Sequence, residues 1–303
     1  MKTTQQRKIR RRTQKGGVGT PPSRKKNKSE RTSSSRKKKT SSSRNVTFTI
    51  PENTTEITNY MMHPYRSYTK VIIPHTVKTI GNFAFQNCER LTSVEIPNSV
   101  DTIGNSAFEN CIGLTSVEIP NSVTSIGDSA FRGCTGLTSV KIPNSVTSIG
   151  YYAFLHCTSL TSIVIPDSVT SIQFSTFRGC TGLTSVKIPN SVTEIRHSAF
   201  YGCTGLTSVI IPDSVTSIEF TTFSGCTGLT SVIIPDSVTS IRKKAFYECT
   251  GLTSLVIPES VTNMTDDAFE GCDRLEQVIA PARFHQLFPR VASVIEPTQY
   301  LFK

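Results

Sequence analysis

PNSVTSIGDSAFRGCTGLTSVKI, residues 120–142, is one copy of a 23-residue unit whose repetition decides the fold. Cysteine falls at 88, 111, 134, 157, 180, 203, 226, 249 and 272, always 23 apart, and the chain has no other. Proline keeps the same step from Pro74 to Pro281, and Pro51 extends it one unit toward the N-terminus. Phe stands three residues before every Cys and Leu three residues after it. Nine complete units with the consensus PxSVTSIGxxAFxGCTGLTSVxI run from Pro74 to residue 280.

A unit this short cannot bury its own apolar side chains, but copies stacked at equal pitch set each column against itself and make a continuous core. The fold is therefore expected to be a repeat solenoid. LTSVxI alternates, directing Leu91, Val94 and Ile96 inward and Ser93 and Glu95 outward, as a strand does. The Pro that follows lacks an N–H and ends the rung, and Pro143-Asn144-Ser145 has turn chemistry. Val146 to Ile149 forms a second, returning strand, and Ala130 to Cys134 is expected to form a short helical or 3-10 turn. Gly at 113, 136, 182, 205, 228 and 251, two residues after Cys, suggests positive φ.

LxxVxI followed by Pro, with AFxGCxxL upstream, resembles the BspA-like class of leucine-rich repeats over roughly residues 46–281. The resemblance implies a β-rich solenoid with a parallel sheet on its concave side, working as a binding module. Residues 45–73 read as a degenerate N-terminal capping repeat, 74–281 as the nine-unit solenoid and 282–303 as a C-terminal cap. The cap is expected to hold a short helix ending near Phe288 and then an irregular apolar segment over the last repeat.

Residues 1–44 carry 17 Lys/Arg against the single acid Glu30, whereas the remainder carries 16 basic and 21 acidic side chains, so the net charge of +11 belongs to the tail. With one Ile, one Val and no aromatic, the tail cannot offset its ordering entropy and should be disordered. Its clusters, including Arg10, Arg11 and Arg12, Lys25 and Lys26, and Lys37, Lys38 and Lys39, offer point charges to nucleic acid or another anionic surface. Nuclear targeting fits them as well. No apolar run is long enough to span a bilayer and no secretory leader is recognisable, so the expected setting is intracellular.

The cysteines form no CxxC pair, and a straight ladder does not supply the tetrahedral closure of a zinc site. They are expected to be buried, reduced thiols. His156 beside Cys157 is the one pairing that invites a thiol nucleophile, and no third group orients it. Neither a metal, a cofactor nor catalysis is expected, and the Ser/Thr ladders, repeated in every unit, read as structural. Phe83, Tyr151, Tyr152, Phe174 and Phe220 read as half-buried packing aromatics, with Thr176 and Thr222 replacing Ala beside two of them.

Variation along the outward strand column is the informative part: Glu95, Glu118, Lys141, Val164, Lys187, Ile210, Ile233, Val256, Ile279. Charge gives way to branched aliphatics that have no evident folding role on an exposed face. Ile210, Ile233, Val256 and Ile279, with Ser208, Ser231, Ser254 and Lys187 around them, are the expected partner-binding set. The function expected is a non-enzymatic protein-interaction scaffold with a basic localising arm. The alternative is a nucleic-acid or chromatin-associated protein binding through its tail.

Overall fold

The computed structural model of the chain describes residues 46–59, 61 and 66–297. The tail residues Arg10, Arg11, Arg12, Lys25, Lys26, Lys37, Lys38 and Lys39, and the disorder expected of residues 1–44, lie outside the described residues. Among the described residues no helix is long and apolar enough to cross a membrane.

The described chain winds as a parallel β-solenoid in which each repeat lays down a three-residue front strand and a two-residue return strand. Front strands run from Thr47–Thr49 through Ser139–Lys141 to Gln277–Ile279, and return strands from Glu56–Ile57 through Ser148–Ile149 to Asn263–Met264. Successive repeats pair in parallel and in register, Val117 against Val140 on the front row and Ile126 against Ile149 on the return row. Alternation then decides burial: Val140 points inward while Ser139 and Lys141 are exposed. Leu137, Phe131 and Cys134 of the same repeat are wholly buried.

The Ile column is less uniform than alternation predicts. Ile119, Ile165 and Ile211 are buried, but Ile96, Ile142 and Ile188 are only partly so. The front ladder groups its middle strands in twos, Ser116–Glu118 with Ser139–Lys141 and Ser162–Val164 with Ser185–Lys187. Ile142 and Ile188 follow the second strand of such a pair, but so does Ile234, which is buried.

The AFxGC stretch is not the short helical turn that its length predicts. Its N–H groups alternate between two destinations. Those of Ala107, Glu109 and Cys111 donate back to Gly104, Ser106 and Phe108, while those of Phe108 and Asn110 donate to Ala130 and Arg132 of the next repeat. A helix would keep all of them to itself. The alternation needs left-handed residues at two places per repeat, such as Ser106 at φ 52° and Asn110 at φ 57°. The second place is the residue before Cys, where Gly133, Gly179, Gly202, Gly225 and Gly271 stand. The glycines two residues after Cys are therefore not the left-handed ones. Gly205 is required by close approach instead, since a Cβ there would lie 2.6 Å from the carbonyl oxygen of Thr181.

This turn lines up the Phe column as a stack with ring centroids 5.0–5.6 Å apart from Phe85 to Phe269. It also brings the eight thiols from Cys111 to Cys272 to a Phe carbonyl one repeat back, as Cys134 Sγ donates to Phe108 O at 3.0 Å and Cys180 Sγ to Phe154 O at 3.1 Å. The Ser/Thr ladders do the same on the outside. Thr138 Oγ1 donates to Thr115 O at 2.9 Å, and Ser145 Oγ to Val123 O at 2.7 Å.

At the chain end Ala282–Leu287 is a 3-10 helix that buries Phe284. Phe288 continues the aromatic column, 6.0 Å from Phe269. An ordered strand, Ser293–Ile295, then pairs in parallel with Gln277–Ile279, where an irregular segment was expected. Its 16-residue offset, set by the helix in place of a full return path, hides it from a 23-residue comparison.

Candidate functional site

The front strands Ser208–Ile210, Ser231–Ile233 and Ser254–Val256 present the expected surface. Their middle residues Val209, Val232 and Leu255 are buried, which turns the flanking residues outward. Ile210 is 67% exposed, Ile233 61% and Val256 48%. Ile210 lies in register beside Ile233, and Ser208 beside Ser231. Ser208, Ser231, Ser254 and Lys187 are exposed along the border of this stripe.

Ile279 does not belong to the exposed stripe. It is 3% exposed, because the terminal strand adds a further rung that sets Ile295 against it. Val164, at 60% exposure, is apolar surface on the same column, set off from Ile210 by Lys187. Toward the N-terminus the column carries paired charge, Glu118 with Lys141 of the same column at 2.6 Å and Glu95 with Lys70, which lies beside Ser93, at 2.7 Å. The front column is therefore ion-paired at Glu95 and Glu118 and apolar at Ile210, Ile233 and Val256, with Ile72 and Val164 as exposed aliphatics outside the stripe.

All nine cysteines are free and buried. Loss of solvation raises the thiols of Cys134, Cys180 and Cys226 to about 12. His156 is exposed while Cys157 is buried, so the neighbouring imidazole does not share the thiol's environment. Among the described residues no group of three His, Cys, Asp or Glu side chains is placed to hold a metal ion.

The five aromatics expected to be half-buried divide. Tyr152 and Phe174 are half-buried, but Phe83, Tyr151 and Phe220 are exposed at 41%, 45% and 41%. Thr176 and Thr222 are buried and close the local turn, donating to the carbonyls of Gln173 and Glu219 at 2.9 and 2.8 Å. A hydroxyl replaces the consensus methyl there because it has a carbonyl to bind.

A family model described as BspA type leucine-rich repeat region matches residues 55–184, 102–229 and 170–290. A solved leucine-rich repeat protein from Bacteroides ovatus is 32% identical over 83% of this chain and 69% of its own, with a TM-score of 0.75. The leucine-rich repeat protein of T. pallidum is 32% identical over 56% of this chain and 79% of its own, with a TM-score of 0.51. The pneumococcal vaccine antigen PcpA, 19% identical over 83% of this chain and 76% of its own, shares the fold with a TM-score of 0.56. No curated protein sequence matches the chain.

Proposed function

The chain belongs to the BspA-type leucine-rich repeat family, and from that premise we propose that it is a non-enzymatic scaffold binding a protein partner through its front strand face. One observation carries this reading: Ile210, Ile233 and Val256 stand exposed side by side on three successive rungs. Inward columns hold the sheet together, so these three positions are free of a packing requirement. A contiguous exposed apolar patch marks a contact surface more often than an accident, and the bordering Ser208, Ser231, Ser254 and Lys187 give it a polar rim. Replacing Ile210 and Ile233 together with Lys should leave the thermal melt close to wild type and abolish partner capture by immobilised protein. Capture at wild-type level by a folded double variant would remove the stripe from the reading.

The basic arm, on this reading, localises the scaffold inside the cell by binding phosphate-rich surfaces, nucleic acid among them. Support for it is the segregation of 17 cationic side chains against one acid in residues 1–44. Affinity of the full chain for a mixed-sequence duplex should fall steeply as salt rises from about 50 to 200 mM and should vanish when residues 1–44 are deleted, as counterion release requires. A salt-insensitive affinity, or one that survives the deletion, would refute it.

A further inference from the structure

On the side of the return strands, a second surface is built from residues that depart from the repeat. In the first repeats Asn82, Asn105 and Asp128 form a ladder, each Oδ1 accepting the backbone N–H of Asn105, Asp128 or Tyr151 at 2.7–2.8 Å. The column then changes chemistry. Tyr151, Phe174, His197 and Phe220 place rings in four consecutive repeats. The column before it changes one repeat later, after Gly150. Gly127, where a Cβ would lie 2.6 Å from the backbone of Gly104, belongs to a glycine run that gives way to Gln173, Arg196 and Glu219. Side chains now stand where bare backbone was. Tyr151, Phe174, Glu194, Arg196, His197 and Glu219 wall a groove of about 450 Å³.

Phe174, His197 and Phe220 are held by ring contacts before any ligand arrives. Tyr152 meets Phe174 edge-on at 5.2 Å, and His197 meets Phe220 edge-on at 4.9 Å. The polar walls are already paired with one another. Arg196 pairs with Glu194 at 2.7 Å, while Glu219 accepts from Ser217 Oγ at 2.7 Å and lies 3.2 Å from His197 Nε2. A strongly ionic ligand would have to compete with these pairs, and a wholly apolar one would strip water from them without replacing its hydrogen bonds. A polyhydroxylated ring uses everything present. Its C–H faces pack on aromatic faces, while its hydroxyls donate to carboxylates and accept from guanidinium. Four rungs at about 4.8 Å span roughly 15 Å, which suits linked rings better than one.

We propose that this groove binds a neutral oligosaccharide lying along the solenoid axis. Tyr151, Phe174 and His197 supply the stacking faces, and Glu194, Arg196 and Glu219 the hydroxyl partners. Calorimetric titration of the full chain with cellohexaose, chitohexaose and maltohexaose, with glucose as the single-ring control, tests it. One hexasaccharide should bind saturably and more tightly than glucose. Tyr151→Ala, at an exposed ring of the groove, should keep the thermal melt and weaken binding about tenfold, and Phe220→Ala, which removes the edge-on support of His197, should weaken it less. Arg196→Gln should weaken it as well, giving a second reading if an alanine variant loses its melt, and Ile210→Lys on the front face should not change it. Failure of all three hexasaccharides to bind, or binding indifferent to the ring and Arg196 substitutions, overturns the proposal. So does preferential capture of a Lys/Arg-rich peptide.

Discussion

From Cys111 onward the thiol at the centre of the repeat does two things that an alanine would not. It fills a small apolar site and gives the Phe carbonyl of the preceding repeat a second, weak donor, as at Cys180 and Phe154. Burial raises Cys134, Cys180 and Cys226 from 9.0 to about 12, partly offset by a backbone hydrogen bond, while Cys88, in the first complete repeat, rises to about 11. The native state thus keeps protons that the unfolded chain releases above pH 9. Stability contributed by these groups is complete below about pH 9 and is lost as pH rises toward 12. Each affected thiol lowers the unfolding free energy by about 1.4 kcal/mol per pH unit within that window. Urea melts at about pH 8 and pH 10.5 should show that decline, and Cys180→Ala should lessen it by one thiol's share. An unchanged slope in the variant would mean that Cys180 titrates freely in the native state. At this scale the sequence was readable wherever a residue type repeats. The left-handed position before Cys was also visible, since Asn87, Asn110 and the glycines there all tolerate positive φ. The more conspicuous glycine column two residues after Cys answers to close approach instead, as at Gly205.

Elements followed the period as far as it reached. The LTSVxI strands and the break at Pro come from alternation and a missing N–H, both local properties, and so they could be read from one repeat. The AFxGC turn could not, because its N–H groups are shared with the next repeat and no single copy contains their acceptors. The terminal strand was hidden for a related reason: Val294 pairs with Val278 at an offset that no other rung uses. That strand has a measurable task. Truncation after Ala292 should expose Ile279 and remove the acceptor at Ile295 that Ala280 N–H uses at 3.0 Å. Hydrogen exchange should then accelerate at residues 277–280 and stay slow at 231–233, because contacts in a solenoid reach only to nearest neighbours. Protection unchanged at 277–280 would show that the last full repeat needs no cover.

For the molecule as a whole, one consequence of the ladder is that the repeat, rather than the residue, is the unit of change. Every column meets its own copy one repeat away, so removing a whole unit rejoins like with like. Deleting Pro166 to Ile188 joins Ile165 to Pro189, restoring the Ile-Pro junction and bringing Phe154 under Phe200 in place of Phe177. The shortened protein should fold with a cooperative melt, and its m-value in urea should fall in proportion to the surface one repeat buries. Deleting only Pro166 to Thr176 removes fewer residues but sets a return strand's columns against a turn, so Phe177 and Cys180 lose their neighbours on one side. That smaller deletion should destroy the cooperative transition or confine it to the repeats on either side. A folded half-repeat deletion alongside an unfolded full-repeat deletion would mean that individual side chains, and not the in-register columns, hold this chain in its fold.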